Sequence, residues 1–295
     1  ALGEAGEKAR GAEMYLNLEP CCHHGRTPPC TSAILDAGVR RVVFSIFDPD
    51  DRVCGGGASI LRAAGIEVCV GVMAREALEL NLPYVHRKIA GRAFVLLKLA
   101  ATLDGRLTAE GRTRLTGDDA RRRVHRLRAW AEAIAVGIGT IRADDPLLDR
   151  RFAPETPPPP VRMVFDSTLS FPPGHRWLAA GEQTIVYCLE DADPIRRRAL
   201  EAAGAEIAPL PGLGGRIDLA AWRGDVTARG IVSVLVEGGS EVAGSIIADG
   251  LFDRLALFYA PVFGGAEGAP LFCGERPGWL EGNELLPTAV ERIGD

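Results

Sequence analysis

Two consecutive α/β units, the first organised on a parallel β-sheet, are what this 295-residue sequence predicts. Three observations carry that expectation. Short runs of β-branched and aliphatic residues alternate with stretches of helical period along most of the chain. Apolar residues make up 47% and charged residues 25%, which is enough material for a core and too apolar for disorder. The alternation breaks near residues 89–92, where Gly91 and Arg92 precede a fresh apolar strand, so the units are expected to span 1–90 and 91–295.

In the first unit, 12–18 and 39–46 read as strands, with a helix over 31–37 capped by Thr31 or the residue before it. A helix over 58–64 and a third strand over 67–72 follow. Strand, helix, strand, helix, strand implies a parallel sheet with right-handed crossovers. The second unit opens with a strand over 93–100. A helix over 118–132 comes next, in which Val124, Leu127 and Trp130 form an apolar stripe. Strands over 133–137, 161–166, 184–188 and 231–237 continue the unit, with helices over 194–203 and 240–249. The proline-rich run 156–160 suits a stiff surface loop entering the strand at Val161. No internal repeat is present.

The charge balance, 34 basic against 39 acidic residues, leaves a net charge of −5 and no general basic surface for a polyanion. Nucleic acid and anionic membranes are therefore not expected partners. No apolar stretch reaches the roughly 18 uncharged residues of a membrane span; Arg62 and Glu67, for instance, interrupt the run between Ile60 and Met73. Residues Ala1 to Arg10 contain neither an initiator Met nor the basic-then-apolar layout of a signal peptide, so the chain reads as the interior of a longer gene product. Seven cysteines, an odd number in a chain of this length, point to reduced thiols and a cytoplasmic protein. Cys54, Cys69, Cys188 and Cys273 stand singly in apolar or Gly-rich surroundings and read as small buried hydrophobes. Lysine occurs only as Lys8, Lys88 and Lys98, and Lys98 stands out because it lies on an apolar strand.

The densest chemistry is Leu18-Glu19-Pro20-Cys21-Cys22-His23-His24-Gly25-Arg26-Thr27-Pro28-Pro29-Cys30. A strand delivers one Pro-Cys at its end, and a second cysteine opens the following helix. Thiolates so placed face one ion, and the helix dipole favours the charged form of the second. Zinc is the natural candidate. The alternatives are a loop with incidental thiols, or a four-ligand structural zinc site that recruits His23 or His24.

This segment resembles the signature of the bifunctional riboflavin-biosynthesis deaminase-reductase family, in which Pro-Cys followed by His-Gly-[Arg/Lys]-Thr-Pro-Pro-Cys holds zinc. Generic zinc deaminases separate their cysteines by only two residues, so the longer spacing is family-specific. The resemblance implies a partial cytidine-deaminase-like α/β/α domain, with Cys21 and Cys30 as zinc ligands and Arg26 placed to meet a substrate phosphate. The family's third ligand and its proton-shuttling glutamate come from an upstream His-Ala-Glu segment that is not in this sequence, so a chain truncated at its N-terminus is expected. Gly55-Gly56-Gly57 also departs from the family, which usually has a basic residue between glycines.

The resemblance continues into a dihydrofolate-reductase-like α/β domain. It rests on Leu97-Lys98-Leu99-Ala100-Ala101-Thr102-Leu103-Asp104-Gly105-Arg106 and on His125-Arg126-Leu127-Arg128-Ala129. It extends through Gly137 to Leu148, Phe165-Asp166-Ser167 and Val236-Glu237-Gly238-Gly239-Ser240. Read by themselves, Gly238-Gly239-Ser240 between a strand and a helix let backbone N–H groups approach a dinucleotide phosphate. Thr140 begins a turn toward Asp144 and Asp145, which suit a ribose or serve as caps. Arg128 and Arg151 suit a phosphate or are surface ion-pair residues, and Arg126 fits the surface role best. The resemblance implies NADPH contacts at Ala100, Thr140, Asp144, Ser167, Gly239, Ser240, Glu241, Val242, Ala243, Gly244 and Ser245. It implies contacts to a phosphoribosylated pyrimidine at Arg128, Leu148, Arg151 and Glu237. In the stretch 111–116 the family's Ser and Trp are missing, with Thr113 standing near the Ser position.

The expected activities are hydrolytic deamination of 2,5-diamino-6-ribosylamino-4-pyrimidinone 5′-phosphate and NADPH-dependent reduction of 5-amino-6-(5-phosphoribosylamino)uracil, with zinc and NADPH as cofactors and this chain retaining mainly the reductase part. A homo-oligomer is expected, and no residue is assigned as the reductase proton donor. The competing readings are a non-catalytic nucleotide-binding protein with a vestigial deaminase domain, and a nucleic-acid-editing deaminase, which the net charge of −5 disfavours.

Overall fold

The computed structural model describes every residue except 26, 112, 113, 153–157, 275–277, 279–284, 286 and 295. The chain forms two compact units, Ala1–Arg92 and Ala93–Asp295.

In the first unit, strands β1 (Glu13–Leu18), β2 (Arg41–Ile46) and β3 (Glu67–Val70) pair in parallel in the order β1-β2-β3. Val42 and Phe44 of β2 are fully buried, and they meet Ile34 and Leu61 from the crossover helices α2 (Cys30–Asp36) and α3 (Gly56–Ala63). A short helix α1 (Leu2–Ala5) with a following 3₁₀ turn precedes β1, and α4 (Ala74–Leu80) and α5 (Leu82–Ala90) close the unit. Two expectations change. Helix α2 starts at Cys30 with Pro29 as its N-cap, and Thr31 is buried within the helix rather than capping it. Helices α4 and α5 went unread because Asn81 and Pro83 interrupt the helical pattern between them.

The Gly55-Gly56-Gly57 run has a local cause. Gly55 sits at φ +75°, and a Cβ on Gly57 would come within 2.1 Å of the Pro20 carbonyl oxygen. Glu19, only 3% exposed, accepts hydrogen bonds from the amides of Gly55 and Ala58, each at 2.9 Å, and so supplies the cap that α3 lacks in its own sequence.

The second unit holds a seven-stranded parallel sheet. Its strands in chain order are β4 (Phe94–Thr102), β5 (Ala133–Gly137), β6 (Val161–Phe165), β7 (Thr184–Leu189), β8 (Glu206–Leu210), β11 (Ser233–Glu237) and β12 (Arg254–Ala260). A two-stranded hairpin of β9 (Gly212–Leu213) and β10 (Arg216–Ile217) lies outside it. The spatial order is β12-β4-β11-β5-β6-β7-β8. Strand β11 thus lies between β4 and β5, which are consecutive among the sheet strands, and winding reverses there. In open α/β sheets such a reversal creates a crevice at the carboxyl ends of the strands.

Helices α6 (Asp118–Trp130), α7 (Ile138–Asp144), α8 (Arg176–Ala179), α9 (Pro194–Ala202), α10 (Leu219–Ala228) and α11 (Ser240–Ala248) connect the strands. Central strands are buried on both faces, as parallel sheets require; all five residues of β5 are buried. Helix α6 stops at Trp130, two residues before the expected end, because Ala131 turns extended to enter β5. Strands β8 and β12 and helices α7, α8 and α10 went unread. Pro209 disguises β8, and β12 is only half-buried at the sheet edge.

Tyr187 of β7 donates its hydroxyl hydrogen to Asp225 of α10 at 2.9 Å, and Arg229 joins Asp225 to Glu206 of β8. Past β12 the chain returns over the sheet's carboxyl end. The amides of Gly264 and Gly265 donate to the Asp104 carboxylate, each at 2.8 Å. Together with the Thr102 hydroxyl they lower the pKa of that carboxyl to about 2. Gly244 must be glycine because a Cβ there would lie 1.7 Å from the Cys273 carbonyl oxygen. Of the four cysteines read as buried, only Cys188 is; Cys69 is half-buried, while Cys54 and Cys273 are exposed, because both occupy loops rather than core strands. Among the described residues, no helix is long and apolar enough to cross a membrane.

Trp222 of α10 is fully buried and packs edge-on against Phe165 at 5.1 Å between ring centroids. Trp222→Ala should lower stability by about 3–5 kcal/mol in urea unfolding followed by circular dichroism. A loss under about 1 kcal/mol would mean that the helix does not seal the core as described.

Candidate functional site at the carboxyl end of the sheet

Three charged side chains meet where the sheet reverses. Lys98 and Glu237 face each other in the β4–β11 register, and Arg128 reaches them from the last turn of α6. Arg128 Nε donates to Glu237 Oε1 at 2.5 Å and its Nη2 donates to Oε2 at 3.0 Å, a bidentate pair. Lys98 Nζ lies 3.8 Å from Oε2. The three side chains are 11–16% exposed. Burial alone would push the Glu237 carboxyl up, but the charge and hydrogen bonds of Arg128, with Lys98 beside it, hold it below the usual range.

These groups adjoin a cleft of about 390 Å³ lined by Lys98, Arg128, His125, Asp144, Leu148 and Arg151, with Arg121 and Arg176 also contributing. His125 is buried, and its ring stands edge-on to Phe152 at 4.8 Å between centroids. Burial and the nearby Arg128 charge push its pKa down. Arg151 is 47% exposed and pairs with Asp149, its Nη2 at 2.8 Å from Oδ2. Because Glu237 occupies the fork of Arg128, the more accessible cations of the cleft are Arg151 and Arg176.

Of the residues assigned to a phosphoribosylated pyrimidine, Arg128, Leu148 and Arg151 line the one cleft, with Glu237 bound to Arg128; Arg26 lies outside the described residues. Thr113, in the divergent stretch 111–116, also lies outside them, as does part of the run 156–160. The residues assigned to NADPH divide. Gly239 caps α11 with extended backbone and no side-chain cap bond, and a Cβ on it would meet Thr140 Oγ1 at 3.6 Å, so Thr140 and the first turn of α11 are neighbours. Asp144 lines the cleft. Ala100 and Ser167 are half-buried, one on β4 and the other just beyond β6, while Glu241 is exposed. The carbonyl oxygen of Ser240 accepts from the Cys273 amide at 2.9 Å.

Val242 packs against Gly137, Ala243 lies in the core and Gly244 abuts Cys273; Ser245 is half-buried one turn into the helix. The side chains of Val242 and Ala243 therefore serve packing. Thr140 lies inside α7, and the turn comes at Asp145, whose φ is +38°. The sequence points to no site role for His125, Arg121 or Arg176, and it singles out Lys98 only by its rarity. That rarity on an apolar strand was the one available signal.

In the first unit, the Cys30 amide donates to Cys21 Sγ at 3.3 Å, so the two cysteines do come together. Burial and the Cys21 thiol push the Cys30 thiol up. Among the described residues, no group of three or more His, Cys, Asp or Glu stands ready to hold a metal ion, and His23 and His24 add no third ligand.

The family model described as the RibD C-terminal domain matches residues 93–285, the greater part of the second unit. The riboflavin biosynthesis protein RibD of Aquifex aeolicus is 40% identical over 264 residues, covering 88% of this chain and 72% of that protein. The chain belongs to the RibD family of riboflavin biosynthesis. An Acinetobacter baumannii RibD structure is 33% identical with a TM-score of 0.77, over 93% of this chain and 76% of that one. A Thermotoga maritima structure, described as a diaminohydroxyphosphoribosylaminopyrimidine deaminase/5-amino-6-(5-phosphoribosylamino)uracil reductase, is 31% identical with a TM-score of 0.76, over 93% and 76%. RibD membership places this chain among enzymes of riboflavin biosynthesis, with the second unit as its reductase domain.

Glu237→Gln should destabilise the second unit by about 3 kcal/mol near neutral pH, since it leaves two buried cations uncompensated. Because the folded carboxyl titrates below its unfolded value, near 4.3, its contribution is complete above about pH 5 and fades as pH falls through the folded value. The stability difference between wild type and variant, measured by urea unfolding across pH, should shrink below about pH 4. A pH-independent difference would show that the ion cluster does not depend on an ionised Glu237.

Proposed function

We propose that the second unit is an NADPH-dependent reductase of 5-amino-6-(5-phosphoribosylamino)uracil, and that the first is part of a zinc-dependent pyrimidine deaminase domain. The observation that carries the reductase reading is the Lys98–Glu237–Arg128 cluster beside the cleft, adjacent in sequence to the Gly238-Gly239 turn into α11. One group supplies a proton, and neighbouring backbone can approach a dinucleotide.

The residues fit a pyridine nucleotide. The amides at the start of α11 have no side-chain cap, Thr140 lies beside Gly239, and the turn stands at the sheet's carboxyl end. Bound NADPH would supply the hydride. Opening the ribosyl ring breaks the C1′–O4′ bond; C1′ gains the hydride and O4′ a proton, so the sugar becomes ribityl. Lys98 is the donor we assign for that proton, because its ammonium lines the cleft and is oriented by Glu237. Glu237 and Arg128 hold each other in place and leave the Lys98 head at the cleft surface. Arg151, on the same wall, binds the 5′-phosphate, with Arg176 and Arg121 adding positive charge nearby. Leu148 packs against the base.

Zinc does not find a complete ligand set in the described residues. Cys21 and Cys30 would supply two thiolates, where a catalytic zinc takes three protein ligands and a water. Glu19 lies near in sequence, but both its carboxylate oxygens accept backbone amides, which ties it to α3. The deamination of 2,5-diamino-6-ribosylamino-4-pyrimidinone 5′-phosphate attaches to the first unit through family membership alone.

Loss of NADPH absorbance with 5-amino-6-(5-phosphoribosylamino)uracil as substrate, checked by detection of the ribityl product, tests the reading; absence of both rejects it. Lys98→Met should lower kcat at least about 100-fold. Arg151→Ala should raise KM about tenfold with NADPH affinity unchanged. Gly239→Val should weaken NADPH binding while the protein folds, since φ is −76° and the nearest atom to a new Cβ is 3.6 Å away. Undiminished NADPH affinity in Gly239→Val would displace the cofactor from the α11 terminus.

A further inference from the structure

The cleft wall that carries Leu148 and Arg151 is a loop that follows α7 and has no regular secondary structure of its own. It holds two non-glycine residues in the left-handed region, Asp145 at φ +38° and Leu148 at φ +48°. Such backbone persists only where its surroundings over-determine it. Here they do so one carbonyl at a time. Trp177 Nε1 donates to the Pro146 carbonyl at 3.1 Å, Arg162 Nη1 to that of Leu148 at 3.1 Å, and Arg128 Nη1 to that of Asp149 at 3.3 Å. Arg176 donates to the Asp145 carbonyl, and His175 Nε2 lies 2.9 Å from the Asp145 carboxylate.

Arg162, His175 and Trp177 are not among the residues lining the cleft. They form one packed unit behind it. The Arg162 guanidinium lies 5.0 Å from the Trp177 ring centroid and pairs with Glu182 at 2.5 Å, while the His175 and Trp177 rings meet at 4.7 Å. Trp177 is 1% exposed and the Arg162 side chain 6%. A buried arginine that spends one donor on a loop carbonyl, and a buried indole that spends its only donor on another, are more than the core needs for packing. Trp222 shows the contrast, since its Nε1 is equally buried and has no partner.

We propose that Arg162, His175 and Trp177 are positioning residues that brace this loop from behind, and that they set the affinity of the cleft for its phosphorylated ligand by fixing where Leu148 and Arg151 stand. The proposal rests on the reductase reading for the identity of the ligand, though not for the existence of the brace. It makes the brace act on ground-state binding rather than on the reacting groups, because none of its members reaches Lys98 or Glu237.

Trp177→Phe keeps an aromatic ring and removes the donor, and Trp222→Phe, which loses the same volume, is the matched control with no loop contact. Amide hydrogen exchange over residues 144–151 should quicken in Trp177→Phe and stay unchanged in Trp222→Phe. KM for 5-amino-6-(5-phosphoribosylamino)uracil should rise about tenfold in Trp177→Phe, the size of one lost hydrogen bond, with kcat within about twofold and NADPH affinity preserved. Arg162→Lys, which keeps the charge but not the fork, should fall between wild type and Arg162→Met. Equal exchange in the two tryptophan variants, or a KM that does not separate them, overturns the brace. If the wild type reduces nothing, the reductase reading falls, and the calorimetric affinity for ribose 5-phosphate takes the place of KM: a loss confined to Trp177→Phe supports the brace, and equal affinities overturn it.

Discussion

The architecture of the second unit turns on one carboxylate. Glu237 stands at the end of β11, the strand that separates β4 from β5, and it draws Lys98 from β4 and Arg128 from α6 into one cluster. A buried cluster of this kind adds little net stability, since desolvation offsets most of its Coulombic gain. Its effect is positional. With both carboxylate oxygens engaged by Arg128, the arginine fork is committed, and Lys98 is the member of the cluster that lines the cleft beside it.

The rest of the site is arranged around that fixed point. The loop after α7 approaches it through Arg128, which reaches the Asp149 carbonyl with its remaining nitrogen, and is held farther along by Trp177 and Arg162. On the other side, Gly238 and Gly239 follow Glu237 directly, so the entry to α11 is tied to the same strand end. The returning segment then locks α11, through the Cys273 amide on the Ser240 carbonyl and the close approach of Gly244. Charged groups and backbone donors are thus presented by elements whose positions are mutually determined, as a site that must hold ligands at bonding distance requires.

The first unit shows the same economy with a different outcome. Glu19 ties the end of β1 to the start of α3, and the glycines at 55–57 allow the close approach. This places Cys21 beside Cys30 at the start of α2. The Cys30 thiol is pushed toward its neutral form, and the pair has no third ligand among the described residues. Two thiols without a third protein ligand fall short of the three that a catalytic zinc takes.

What the sequence determined by itself was the period and the punctuation. The α/β architecture of both units, the parallel sheet of the first, the break near Gly91, strand β5 to the residue and the starts of α6, α9 and α11 were readable, because burial on both faces leaves unbroken apolar runs and helices begin beside Gly, Asp or Pro. Half-buried or interrupted elements were not readable: β12 lies at a sheet edge, β8 contains Pro209, and α8 is a single turn. The motifs named Arg128, Arg151 and Glu237, yet nothing linear shows that Glu237 consumes the fork of Arg128, or that Lys98 joins them. Those facts depend on the β4–β11 register and on the reversal of strand order, which are set by packing between segments more than 100 residues apart, as the Arg128–Glu237 separation of 109 shows. The tertiary structure alone also decided the left-handed backbone at Leu148, since no local preference of leucine calls for it and the neighbouring carbonyls are held by side chains from β6 and α8.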